Sequence, residues 1–254
     1  MRISLDLAWV VTALLSSLRV GTVFVLTPLL TMGNIPVRFR VLFVLALSAT
    51  LVAAMGVPGV IPGYSLSTLI AAAFGELVLG ALMAFGLIAG FATYQLAGRI
   101  MDMQLGFGVA ALIDPTTRAQ VPLLGTLLFM AAVVGFFAID GHHLVIRALA
   151  YSFERIPPGT QITEVNLAAV TAQFGLMFTF AVAISAPVIF ILLMVDTALA
   201  VMARTMPQMN VFFLSLPLKI LIGLFVLVLS VRYVGPVTKR LFESMFGYLE
   251  QIIG

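Results

Sequence analysis

The chain has 254 residues, of which 62% are hydrophobic and 9% charged, and its mean hydropathy is +1.20. Soluble domains carry about 25% charged residues, so a chain this poor in charge cannot cover a water-facing surface and reads as an integral membrane protein or the core of a membrane complex. A net charge of +3 without a basic run leaves no footprint for nucleic acid, and zero cysteines remove disulfides, thiolate metal sites and cysteine nucleophiles together.

Six apolar blocks follow one another, at roughly 7–30, 41–56, 66–97, 121–139, 166–201 and 211–231. The first is interrupted by Arg19 and ends without a small-residue cleavage site, so it reads as a retained helix rather than a signal peptide. Gly33-Asn34 followed by Pro36 closes it. The second block is short of the roughly 20 residues a span needs, and the apolar, proline-rich link GVPGVIPG (56–63) follows it. In the third block Ala72, Glu76, Gly80 and Ala84 fall at successive i, i+4 positions, and Gly86 and Gly90 form a GxxxG pair. Small residues in line let another helix approach closely. Glu76 is therefore expected to face a partner helix or a cavity, either as a functional carboxylate or as one hydrogen-bonded across the interface.

The stretch Gly98–Pro122, GRIMDMQLGFGVAALIDPTTRAQVP, comes next. Its ends are too polar for a simple span and its middle is too apolar for a solvated loop. Gly106 and Gly108 permit backbone angles closed to other residues, and Asp114-Pro115 favours an extended or turn conformation. At membrane depth, non-helical backbone persists only where protein covers it or where it borders a water-filled cavity. The stretch is thus either an ordinary interhelical loop or a segment that lines or blocks a passage.

Beyond the fourth block lies an amphipathic piece, His142–Phe153, stopped by Pro157-Pro158-Gly159. The fifth block would reach about 54 Å as one helix, with Pro187 as a candidate kink and Thr163 or Asn166 as its cap, near Glu164. Six conventional spans would put Arg38, Arg40, Arg99, Arg118 and Arg204 on one side and Arg2, Arg147, Arg155, Arg232, Lys239 and Arg240 on the other. That balance assigns no orientation, so either the count of spans is wrong or, as is expected here, not all the helices are conventional spans.

Little here supports an enzyme. The two histidines, His142 and His143, are adjacent, and neighbouring helical positions point about 100° apart; Asp140 is close, but further ligands are missing, so no metal and no cofactor are expected. No GxSxG elbow and no phosphate-binding glycine loop is present. Two charged pairs can form along helices: Arg99 with Asp102, three apart, and Asp196 with Arg204, eight apart. Met101, Met103, Met206 and Met209 gather near the two irregular regions, either as gap fillers or as an adaptable seal.

Three stretches, GRIMDMQLGFGVAALIDP, DGHHLVIRALAYSFERIPPG and ARTMPQMNVFFLSLPLKILIGL, resemble in order and spacing the FliR family of type III export-gate proteins, with SpaR and YscT as its injectisome counterparts. The resemblance covers essentially the whole chain. It implies an all-α, multi-helix integral membrane protein with a FliP-like part, 1–165, followed by a FliQ-like helical hairpin, 166–254, turning at Met202–Asn210. It also implies assembly with FliP, FliQ, FlhB and FlhA in the bacterial inner membrane, within the flagellar basal body, with parts projecting toward the periplasm. The cargo would be unfolded polypeptide. The loop 106–122 would be the pore plug, with Gly106, Phe107, Gly108, Val109, Leu112, Ile113, Asp114 and Pro115 as its working residues. Glu76, Arg99, Asp102, Asp196 and Arg204 would then be buried or interface charges, and Gly80, Gly86 and Gly90 packing positions. A competing reading from the residues is a proton-coupled secondary transporter using Glu76 or Asp196, although the two halves show no repeat. The flagellar system is expected ahead of an injectisome.

Overall fold

The computed structural model describes residues 7–31, 35–56, 65–107, 122–160, 166–206 and 210–254. Among these residues all regular structure is helical, one of the two ways a chain can satisfy its backbone hydrogen bonds in lipid. The helices are α1 (Leu7–Leu26), α2 (Pro28–Thr31), α3 (Val37–Met55), α4 (Leu66–Leu105), α5 (Leu123–Ala138), α6 (Gly141–Arg155), α7 (Leu167–Thr205) and α8 (Val211–Ile253). Five of them, α1, α3, α4, α7 and α8, are long and apolar enough to cross a membrane. The pair α5 and α6, bent by 70°, would make a sixth if it counts as one broken span.

Hydropathy marked the helices but misplaced their ends. The second block becomes a full-length helix because α3 takes in Arg38 and Arg40, whose long side chains can carry their charge away from apolar surroundings. Helix α4 runs straight through Gly98 to Leu105, so the first eight residues of the polar stretch are helical. With 40, 39 and 43 residues, α4, α7 and α8 are about 60–65 Å long, roughly twice the hydrocarbon thickness of a bilayer. Helix α7 continues past Pro187, and α8 past Pro217 and Pro236. Local chemistry sets several ends. Ser65 Oγ accepts the Thr68 N–H at the start of α4, Asn166 Oδ1 accepts the Ala169 N–H at the start of α7, and α3 stops at Gly56 with φ +60°.

The chain forms two compact units. The first comprises 1–89, 135–173 and 244–254. In it α1 packs along α3, with Phe24 and Phe43 edge to face at 5.5 Å, while Gly80 lets α4 close on α1. A Cβ at Gly80 would lie 2.8 Å from both the Arg19 carbonyl oxygen and Thr22 Cβ. The amphipathic α6 turns Val145, Leu149, Ser152 and Phe153 inward, the stripe its sequence period dictates. The last turns of α8 bury Met245, Tyr248, Leu249 and Ile253. Gly86 leaves room for the Tyr248 ring, whose hydroxyl donates to the Leu82 carbonyl at 3.0 Å. Tyr248→Phe keeps the ring and removes that bond. It is expected to lower the unfolding free energy by about 0.5–1.5 kcal/mol, read from the thermal midpoint of the detergent-solubilised chain.

The second unit comprises 90–134 and 174–243. Here Gly90, Phe91, Tyr94, Ala97, Met101 and Leu105 form the buried side of α4. Phe91 meets Phe129 of α5 edge to face, and Tyr94 lies against Phe242 of α8. Gly223 of α8 sits where a Cβ would overlap Leu105. Much apolar surface stays uncovered, including Phe213, Leu221, Phe225, Val228 and Leu229 on α8 and Val37, Phe39 and Leu42 on α3. Lipid or other chains must cover it.

Candidate functional site

The segment 106–122 leaves α4 and returns into α5, and the two helix ends are held together at one residue. Helix α4 closes in a Schellman arrangement: the Gly106 N–H donates to Met103 O at 3.2 Å and the Phe107 N–H to Asp102 O at 3.1 Å. Gly106 has φ +83°, a conformation that suits glycine because it has no Cβ. The Asp102 side chain serves the other end. Its Oδ1 accepts the Leu124 N–H at 3.0 Å and its Oδ2 the Gly125 N–H at 3.2 Å. These are two of the unsatisfied donors that open α5, and the positive end of the helix favours a carboxylate there. Pro122, which precedes α5, has no side-chain oxygen to do this itself.

Close approach makes the reach possible. Gly98 lies one turn before Asp102 on the same face of α4, and a Cβ there would overlap the Gly125 backbone. Gly98 and Gly125 thus bring the helices backbone to backbone, and Asp102 seals the contact at 6% exposure. The expected plug positions Gly108, Val109, Leu112, Ile113, Asp114 and Pro115 lie outside the described residues; only Gly106 and Phe107 are within them.

The Arg99–Asp102 pair does not form. Both Asp102 oxygens are committed to α5, and Arg99 is exposed without an ion pair among the described residues. Nor does Asp196 pair with Arg204. Eight residues along a helix separate them by about 12 Å, and Asp196 instead meets Lys219 of α8. Arg204 is exposed at the end of α7.

Glu76 faces a partner helix, and its partner is Arg19. The pair is bidentate: Nε donates to Oε2 at 2.8 Å and Nη2 to Oε1 at 3.1 Å. Nη1 donates to the carbonyl and the hydroxyl of Ser152, both at 3.0 Å, and Nη2 also reaches Ile156 O at 3.0 Å. All five guanidinium hydrogens are used. The Phe153 ring covers the cation at 4.7 Å, and the Gly159 N–H donates to Glu76 Oε1 at 3.1 Å. Arg19 is fully buried and Glu76 is 1% exposed. This is a lock joining α1, α4, α6 and the turn after α6. Sequence reasoning passed over Arg19, Ser152, Gly159 and Lys219. The signal for Arg19 was present: a lone arginine in an apolar helix needs a carboxylate, and Glu76 is the lone acid in the first 36 residues of α4.

A sequence profile of the family described as "Bacterial export proteins, family 1" matches residues 10–245. The chain belongs to this family. Among the relatives of this family-1 export protein is the "Flagellar biosynthetic protein FliR" of Bacillus subtilis (strain 168), 33% identical over 247 residues, which cover 94% of this chain and 93% of the relative. The protein of the same name from Escherichia coli (strain K12) is 27% identical over 249 residues, 97% of this chain and 94% of the relative. The "Secretion system apparatus protein SsaT" of Salmonella typhimurium (strain LT2) is 28% identical over 161 residues, 63% of this chain and 62% of the relative. The family, its helical build and its apolar spans agree.

Proposed function

We propose that this family-1 export protein is an export-gate subunit of the flagellar type III secretion system. With FliP and FliQ it would form the channel for unfolded substrates, and the loop 106–122 would be the plug. The observation that carries this reading is the double anchoring at the loop's base: one aspartate holds both the end of α4 and the start of α5, between which the 14 residues 108–121 run in the sequence. Their sequence, GVAALIDPTTRAQV, is apolar at the start and carries few charges. An unfolded cargo has no fixed shape to recognise. A gate for it needs an apolar constriction that dewets when idle and yields when a chain passes. The export energy would come from elsewhere in the apparatus, since the sequence holds no nucleotide-binding loop.

FlhB and FlhA are the further partners this reading calls for, and 1–165 and 166–254 are its FliP-like and FliQ-like parts. The bacterial inner membrane is the location. Helices twice as long as the bilayer is thick would carry part of the chain to the periplasmic side. The likeness to SsaT supports an injectisome gate as the second reading, but the relatives named for flagella match over more of the chain. Glu76 and Asp196, the carboxylates of the transporter reading, each face a cation of the same chain, Arg19 and Lys219.

The test replaces residues 109–118 with a short Gly-Ser linker, leaving Gly98, Asp102, Gly106 and Phe107 in place. Assembly with FliP and FliQ should survive, while the membrane becomes leaky to ions. Unchanged ion leak and unchanged secretion in an assembled complex would reduce the segment to a connecting loop.

A further inference from the structure

A second cluster sits at the bend between α5 and α6, and the gate reading makes no use of it. Asp140 adopts φ +58° and ψ +27°, the left-handed region that aspartate tolerates better than most residues. Its N–H closes the end of α5 on Phe137 O at 3.1 Å, and its carbonyl accepts the His143 N–H at 3.0 Å as α6 begins. This tight turn and the first positions of α6 bring the side chains at 140, 142 and 143 close together. Gly141 permits it, because a Cβ there would lie 2.6 Å from the Phe136 ring.

The two imidazole rings lie 4.1 Å apart between centroids, and His143 Nδ1 is 3.5 Å from Asp140 Oδ1. One nitrogen from each histidine and one Asp140 oxygen all fall within 4.8 Å of one another. The Nδ1 atom of His142 is buried and has no hydrogen-bond partner among the described residues. A buried polar atom without a partner is costly, and native structures rarely keep one. Asp140 and His143 are exposed, so no packed core resists the small rotamer changes that would draw three donors to the roughly 3.3 Å mutual spacing of a tetrahedral zinc shell.

We propose that Asp140, His142 and His143 form a binding site for a divalent zinc-type cation, with His142 ligating through its orphaned Nδ1 and water in the open position. Two imidazoles and one carboxylate are a borderline donor set, which suits Zn²⁺ over Mg²⁺ or Ca²⁺. All three ligands lie within four residues of the bend, so the bound ion staples the junction of α5 and α6.

The experiment uses the full-length chain, free of any histidine tag, in detergent micelles. Zn²⁺ affinity is measured by competition with a chromophoric chelator, and Co²⁺ serves as the spectroscopic probe. One ion per chain is expected, together with the intense visible absorption of tetrahedral Co²⁺ and a thermal midpoint that rises with Zn²⁺. His143→Gln and Asp140→Asn should each weaken binding at least about tenfold and abolish the thermal shift. Both positions are exposed and asparagine accepts the left-handed conformation, so both variants should fold. Equal Zn²⁺ affinity in the wild type and both variants, or no stoichiometric binding at all, would overturn the site.

Discussion

Glu76→Ala is expected to destabilise the chain by about 3–5 kcal/mol, because it strands Arg19 as an uncompensated buried charge. The remaining acceptors, the Ser152 carbonyl and hydroxyl and the Ile156 carbonyl, carry only partial charge and cannot replace a carboxylate. They lie at the C-terminal end of α6, whose dipole favours the cation, so the loss is softened but not abolished. Arg19→Lys should cost nearly as much. A lysine has three donors and no planar fork, so it cannot keep the bidentate bond and reach α6 together. The double variant Arg19→Met, Glu76→Gln should be milder than Glu76→Ala alone, since no full charge is left buried. The measurement is a double-mutant cycle on unfolding free energies in detergent. A cost under about 1 kcal/mol for Glu76→Ala would show that water reaches the pair and that the lock is decorative.

The same residues show what could be read from the chain and what could not. The line Ala72, Glu76, Gly80, Ala84 placed Glu76 against a helix because small residues on one face have few other uses in an apolar segment, and Gly80 indeed closes on α1. Its partner lies 57 residues away, a separation on which local periodicity is silent. Spacing of i, i+3 or i, i+8 pairs charges along one helix, whereas Asp102 and Asp196 both reach to a different helix. For Asp102 a sequence clue exists, because a helix that starts after Pro122 has no side-chain acceptor of its own. Hydropathy falls where charges begin, but the backbone of α3 and α4 stays helical up to the left-handed Gly56 and Gly106, and α8 runs on through Lys239, Arg240 and Glu243.

At the base of the loop, Asp102→Ala should raise the hydrogen-exchange rates of the Leu124 and Gly125 amides by about 30-fold or more, the equivalent of roughly 2 kcal/mol for bonds to a charged acceptor. Asp102→Asn keeps one acceptor oxygen and loses the charge, so it should fall between. Gly98→Ala reaches the same place by another route, since its methyl group would overlap the Gly125 backbone, which cannot rotate aside as a side chain can. The contrast is Gly86, where the clashing group is the Tyr248 ring and a tilt can relieve it. Gly98→Ala should therefore loosen the loop base more than Gly86→Ala loosens its own contact, and it should expose the same two amides while leaving Asp102 intact. In cells, both loop-base variants should raise ion leak through an otherwise assembled gate, because a plug is only as well placed as its anchor. If Asp102→Ala exposes the amides and the leak stays at the wild-type level, the anchor is real but the loop it holds does not seal the pore. If the amides stay protected, the α5 terminus is held by something other than Asp102, and the double anchoring on which the gate reading rests is gone.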